Sequence, residues 1–313
     1  MKRGIPVLVA MLALTAAFPA LAQYPAKPIN MVVPFAAGGS NDIVARAIGK
    51  KLGEAWGQTV IIDNRAGAGG VIGAAHVANA APDGYTLLLI SSTYTINPAV
   101  KSNMPFDPFK AFDPVAFIAS SPLLMASANK LPITSAKDLI DLARRKPGSI
   151  NYASAGPGSI NQIAAEMFAS AAGIKLVHVP YKGGALALND LVGGHVDLYI
   201  SSMPQILPIA KTGQVRPLAV TGLKRSPSLP DVPTLDEIGL KGYEASSWWG
   251  IVAPAGTPAE IVAKLNAEIN KTLGSDEMKR FLEGEGAEAR AMTPQDFRDL
   301  IETEGKRWNK VAK

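Results

Sequence analysis

Cysteine is absent from the 313 residues, and that absence alone removes several readings. There is no disulfide framework, no thiolate metal site, no cysteine nucleophile and no cysteine to carry a bacterial lipoprotein anchor. Histidine is scarce. His76, His178 and His195 sit in no metal-ligand spacing, and neither HExxH nor GxSxG occurs. His178 lies in the apolar run LVHVPY and reads as a structural histidine rather than a base. No acidic pair can be assigned to one cleft from its spacing. Charge is not concentrated either: the formal total is +5, and Arg144, Arg145 and Lys146 read as a solvated helix end. A basic face of the kind that nucleic acid requires is missing. The pattern GxxxxGK[ST] does not occur. GPGSIN has Asn161 where the dinucleotide fingerprint needs its last Gly or Ala, and glycines 67, 69 and 73 miss that spacing by one residue. The expectation is no cofactor, no metal and no nucleic-acid partner.

Long hydrophobic runs are confined to the start. Lys2 and Arg3, an apolar stretch over 5–18 and the A-x-A-like Ala20-Leu21-Ala22 make residues 1–22 a secretory signal peptide, cleaved before Gln23. The apolar centre is short for a membrane span. This predicts a periplasmic mature chain, soluble and not lipid-anchored. With 48% apolar and 18% charged residues, the composition is that of a globular protein long enough for two domains.

What the sequence does contain is alternation. Strand-like runs fall at 29–33, 60–62, 86–90, 150–152, 176–179, 198–200 and 217–221. Helical patterns fall at 43–56, 135–146, 160–172, 185–193, 258–273 and 294–311. This predicts α/β layers with mainly parallel sheets. SPLLMASAN (121–129) and SSWWGIVAPAGTP (246–258) are extended, apolar and bounded by Pro or Gly. If both cross between lobes, residues 23–122 and 248–313 form one lobe and 123–247 the other. One continuous sheet with two long strands is the alternative.

One pattern occurs twice. VVPFAAGGSNDIVARAIGKKL (32–52) reads as a strand, a small-residue turn with Gly38 and Gly39, and a helix. NYASAGPGSINQIAAEMF (151–168) repeats it, with Gly156, Gly158 and Ser159 in the turn. Such turns present backbone N–H groups and the positive end of a helix dipole to an anion. Glycine lets the backbone approach a ligand, and Ser159 suits a helix cap. Neither turn carries Lys or Arg at its tip, which favours a carboxylate held by neutral donors over a dianionic phosphate. Asp42, in the first turn of its helix, either caps the helix and fixes the loop or acts on the ligand through water or against an ammonium.

These two stretches are joined along the chain by DNRAGAGGVIGAA, PDGYTLLL, VPYKGGALALNDLVGGHVD, LAVTGLKRSPSLPDVPTLDEIG and WWGIVAPAGTPAEIVAKLN. In that order they resemble the periplasmic receptors of tripartite tricarboxylate transporters, the Bug (TctC-like) family. The resemblance implies an α/β, two-lobed type II periplasmic-binding-protein fold with a ligand cleft between the lobes. It also implies a small organic carboxylate as ligand, membrane permease subunits as partners, a monomer, and binding without catalysis. Carried over position by position, it puts Phe35, Ala37, Gly38, Gly39, Ser40 and Asp42 on one side of the ligand. Ser154, Ala155, Gly156, Gly158 and Ser159 stand on the other, with Ser91, Ser92 and Ser202 as wall residues. Many relatives carry His just after the second turn, whereas this chain has Gln162, which cannot become cationic. Trp248 and Trp249, beside a crossing, read as packing. The competing functions are an exported sensor reporting the carboxylate to a signalling partner, and an exported enzyme acting on it. Which carboxylate is bound stays open.

Overall fold

The computed structural model describes residues 24–101 and 103–311; the signal-peptide reading of residues 1–22 lies outside them. The chain begins with three strand–helix units: β1 (Ile29–Val33) and α1 (Ser40–Trp56), β2 (Val60–Asn64) and α2 (Val71–Ala78), β3 (Thr86–Ser91) and α3 (Ser92–Val100). β1 runs between β2 and β3, parallel to both. In α1 the residues Val44, Ala45, Ile48 and Leu52 recur at helical spacing, and that stripe packs on Ile29, Met31 and Val33 of β1. Gly57 stops the helix in the left-handed region, at φ 64°, with its N–H on the Gly53 carbonyl.

The long strand β4 (Phe112–Ser127) then leads to α4 (Ala136–Arg145), which starts at a Ser135–Asp138 capping box. Strand–helix units follow: β5 (Asn151–Ser154) and α5 (Ile160–Ala172), β6 (Val177–Pro180) and α6 (Gly184–Val192), β7 (Leu198–Ser202) and α7 (Met203–Lys211), then β8 (Arg216–Val220). β5 runs between β6 and β7, again parallel to both. Their core, with Tyr152, Phe168, Leu198 and Ile200, is separate from the core under α1. The chain returns through β9 (Ser246–Pro254), α8 (Ala259–Gly274), α9 (Asp276–Gly284), β10 (Glu288–Ala289) and α10 (Pro294–Val311).

β4 is common to both halves. It pairs with β9 from Phe112 to Pro122 and with β7 and β8 from Leu123 to Ser127, so its partners change between Pro122 and Leu123. All of these pairings are antiparallel, as are those of β9 with β3 and of β10 with β4. The expectation of mainly parallel sheets therefore holds only for the outer strands. A chain that returns beside the strand by which it left must run the opposite way, and no helical crossover is then needed. Thr221 joins the two passages: its hydroxyl oxygen accepts from Leu123 N–H (2.7 Å) and its O–H donates to the Ala245 carbonyl (2.6 Å). Among the described residues no helix is long and apolar enough to cross a membrane.

Candidate functional site

The carboxyl ends of the strands from both halves face one another. The first turns of five helices, α1, α3, α5, α6 and α7, meet there around a cavity of about 30 Å³. The first half supplies Phe35, Gly39, Ser40, Asn41, Ser91 and Thr93, and the strand β9 supplies Ser247. The second half supplies Ala155, Ile160, Asn161, Gly184, Ser202 and Gln205. No ionisable side chain lines this inner cavity. The positive ends of those helix dipoles face it, which is how a protein holds an anion without a counter-charge. Gln205 Nε2 and the Tyr199 hydroxyl behind it are both buried and make no hydrogen bond of normal geometry among the described residues.

Each loop is braced from behind. Gly38 adopts φ 80°, and its N–H donates to Asp42 Oδ2 at 2.9 Å. Asp42 also accepts from Arg46 Nε (2.9 Å) and Asn64 Nδ2 (3.0 Å). Burial works against the ionised carboxylate, but the bonds from Arg46, Gly38 and Asn64 outweigh it and hold the Asp42 carboxyl below its ordinary value. Asn41 is fixed by Trp249, whose Nε1 donates to its Oδ1 at 2.8 Å. In the second loop Ser154 Oγ accepts from Gly156 N–H (3.1 Å) and lies 2.6 Å from His178 Nε2. The His178 ring stacks on Tyr152, with centroids 4.9 Å apart. Burial lowers the His178 pKa against the opposing pull of Glu166, which favours the neutral ring that can accept the Ser154 hydroxyl proton. Gln162 folds back on the loop: its Oε1 accepts from Gly158 N–H (2.7 Å) and its Nε2 donates to Glu166 (2.7 Å).

The residues expected at the site therefore separate into groups. Phe35, Gly39, Ser40, Ser91, Ala155 and Ser202 line the inner cavity. Ala37 and Gly38 are exposed at its rim. Asp42, Ser92, Ser154 and Ser159 are buried behind the wall, with Ser159 capping α5 through the Gln162 N–H. Gly158 stands on the seam between the halves, where a Cβ would lie 3.0 Å from Asn97 Oδ1 and from Val100 Cγ2. Two hydrogen bonds cross that seam: Ser202 Oγ donates to Ser40 Oγ (3.0 Å), and Ile160 N–H donates to Thr93 Oγ1 (3.2 Å). Asn41, Thr93, Ile160, Asn161, Gly184, Gln205 and Ser247 were not anticipated. Of these Gly184 carried a signal, since VPYKGGALAL is a further strand–glycine–helix unit. Trp248 and Trp249 are buried and line neither cavity, as packing residues would be.

Phe35 and Ala155 also border an outer cavity of about 190 Å³, walled by Gly67, Ala68 and Gly69 on one side and by Gly156, Pro157, Tyr181 and Lys182 on the other. A larger groove, about 920 Å³, lies behind the crossing strands. Ser246 lines that groove and Ser247 the inner cavity, and successive residues of a strand point to opposite faces. The groove carries mixed charge (Lys224, Arg225, Glu244, Lys279, Glu283) and faces the C-terminal end of α8, so its size does not make it an anion site.

Residues 44–313 match the family described as tripartite tricarboxylate transporter family receptor. Three solved structures share the fold over nearly the whole chain. Rpa4515 of R. palustris, solved with adipate, is 41% identical with a TM-score of 0.90, covering 92% of this chain and 97% of that one. The periplasmic binding protein BugD is 36% identical with a TM-score of 0.89, covering 92% and 97%. MatC (Rpa3494) from Rhodopseudomonas palustris, solved with bound malate, is 32% identical with a TM-score of 0.88, covering 93% and 100%. The architecture is thus the α/β, two-lobed periplasmic-binding-protein fold, with the inner cavity in the cleft between the lobes.

Proposed function

The chain belongs to the family of tripartite tricarboxylate transporter receptors, and we propose that it is a periplasmic solute receptor that binds a small organic carboxylate between its lobes and delivers it to the membrane subunits of such a transporter. One observation carries the reading: five helix N-termini converge on a cleft cavity that has no cationic side chain. A carboxylate there exchanges its hydration shell for backbone N–H groups and for the hydroxyls of Ser40, Ser91, Thr93 and Ser202. Hydrogen bonds to a charged group contribute roughly 1.5–3 kcal/mol each, so a few give micromolar binding. The adipate and malate of the two relatives support the same ligand class. On this reading residues 23–122 and 248–313 make the first lobe and 123–247 the second, which accords with the exchange of β4 partners at Pro122 and Leu123.

The test is a melting-temperature screen of refolded, ligand-stripped protein against dicarboxylates, tricarboxylates, acidic amino acids and aromatic acids. An acid present at ~100 times its dissociation constant stabilises the native state by about 2.7 kcal/mol, and the bound acid is recovered chemically unchanged. If no acid raises the melting temperature, the ligand class is wrong. If the acid is converted to a product, the protein is an enzyme.

A further inference from the structure

The groove of about 920 Å³ has no part in holding an acid in the cleft, yet it spans both lobes. It lies on the other side of the crossing strands: Ser246 lines the groove and Ser247 the inner cavity. Between the two the lobes touch at a fulcrum. Ser202 lines the cavity, and the next residue, Met203, packs on Gly286, where a Cβ would lie 2.9 Å from Met203 Cβ. A rotation about the crossing strands that opens the cleft therefore narrows the groove. Charges of both signs stand on its two walls. Lys224 and Glu244 belong to the second lobe, and Lys279, Glu283 and Glu288 to the first. All five are exposed, and none makes an ion pair or a side-chain hydrogen bond among the described residues. Elsewhere surface charges do pair within a lobe: Lys241 with Asp236 (3.0 Å), Lys271 with Glu268 (3.2 Å), and Arg225, the sixth charge of the groove, with Glu237 (2.8 Å). Among the described residues one hydrogen bond spans the groove, from Ser228 Oγ to the Glu283 carbonyl at 3.4 Å. It brings the loop that carries Lys224 to the end of α9.

We propose that this groove is a latch that holds the ligand-free cleft open: when the lobes swing apart its walls meet, Lys224 pairs with Glu283 and Glu288, and Glu244 pairs with Lys279. This rests on the lobe division given above and on closure over an acid in the inner cavity. Opposite charges attract more strongly once their approach excludes part of the water between them. An acid that closes the cleft has to pull these pairs apart. Its measured affinity is then the intrinsic one reduced by the fraction of molecules that are unlatched. Five side chains that never touch the acid thus help to set how tightly it is held.

Charge reversal across the groove tests this, with Lys224→Glu and the double variant Lys224→Glu/Glu283→Lys. Both positions are exposed, so the variants fold. The sign of the effect is diagnostic. Taking positive charge from the surface weakens an anionic ligand if the charge acts through its field, whereas loss of the latch tightens it. Calorimetric titration uses succinate, citrate, glutamate and benzoate, one acid from each class of the screen. Lys224→Glu should bind its acid roughly two- to fivefold tighter than wild type, and the double variant should return to within about twofold of wild type. By small-angle scattering, ligand-free Lys224→Glu should have a smaller radius of gyration than ligand-free wild type, and the double variant should regain the wild-type radius. Unchanged or weaker binding by Lys224→Glu overturns the latch and leaves the carboxylate reading intact. Tighter binding that the double variant fails to reverse also overturns it, because no pair across the groove is then involved. If none of the acids binds, the receptor reading fails, and the ligand-free radii alone decide the latch: equal radii for wild type and Lys224→Glu overturn it.

Discussion

Gly158 and Gly73 both stand where a side chain has no room, but what they obstruct differs. Gly158 has φ 79°, a region that costs an L-residue roughly 1–2 kcal/mol, and its missing Cβ faces Asn97 and Val100 of the other lobe. Leucine there meets them only when the lobes come together. We expect Gly158→Leu to abolish acid binding by calorimetry while lowering the melting temperature of the ligand-free protein only modestly. At Gly73 a Cβ would lie 2.9 Å from the Arg65 carbonyl oxygen and from Pro34 Cα, backbone atoms of its own lobe. Gly73→Leu should cost about 1–3 kcal/mol in urea unfolding, as overpacking does, before affinity is affected. Normal binding by the Gly158 variant would sink the idea of a seam closed over ligand. Asp42 is a pH-dependent brace. Its folded pKa lies below its unfolded value of ~3.9, so its stabilisation is full above that value and is lost as pH falls through the lower, folded one. Asp42→Asn should flatten the acid limb of melting temperature against pH; an unaltered limb would show that other carboxylates set it. Gly39 was legible from its glycine loop, whereas Ser40 and Ala155 came only through the family resemblance. Thr93, Asn161 and Gln205 are single polar residues in helix first turns, with no spacing to mark them, and only the tertiary fold brings them to one cavity.

At the scale of elements, legibility follows contrast between faces. The helices α5 and α10 occupy the predicted spans 160–172 and 294–311, because an apolar stripe recurs against polar neighbours. α1 begins three residues early, at Ser40, where polar residues precede its stripe. The sequence gives no such cue for α3 or α7. Both carry an internal proline, Pro98 and Pro208, and α3 is buried from Ser92 to Asn97, which removes the difference between an inner and an outer face. The first half of β4 is hidden for a related reason: Pro114 weakens a strand reading, and the ladder to β9 shifts register there. The crossing itself is held by few groups, Thr221 foremost, and it is fully buried. Thr221→Val keeps the shape but leaves the Leu123 N–H without its side-chain acceptor and the Ala245 carbonyl without its donor. Two unsatisfied buried groups cost about 1–3 kcal/mol each. Urea unfolding should show that loss, while ligand affinity per folded molecule changes little. A loss of affinity with stability intact would instead make Thr221 part of the closing motion.

For the whole molecule, the question is what holds the lobes together over the cleft. Among the described residues two hydrogen bonds cross the seam beside the inner cavity, Ser202 to Ser40 and Ile160 to Thr93. Both are neutral, and such bonds contribute about 0.5–1.5 kcal/mol each. Behind the cleft the lobes are joined where β4 and the Ala245–Ser246 passage change sides, by Ile96 and Trp308 packing into the second core, and by Ser228 Oγ donating to the Glu283 carbonyl (3.4 Å); none of these lies over the cleft mouth. Moving a population from almost wholly open to almost wholly closed takes about 5.5 kcal/mol of differential binding. A carboxylate that accepts two or three charge-assisted bonds, shared between the lobes, supplies that amount at roughly 1.5–3 kcal/mol per bond. The ligand-free protein should therefore be more open in solution than the closed arrangement described here. Small-angle scattering should show a radius of gyration that falls when an acid from the screen is added to saturation. Ser40→Ala removes one of the two crossing bonds without adding bulk, so it should weaken binding by about tenfold or less and leave the ligand-free scattering curve unchanged. If scattering is the same with and without an acid whose binding calorimetry has established, contacts other than these two bonds keep the cleft shut. Ligand would then enter a preformed site, and specificity would rest on the shape of the cavities rather than on closure.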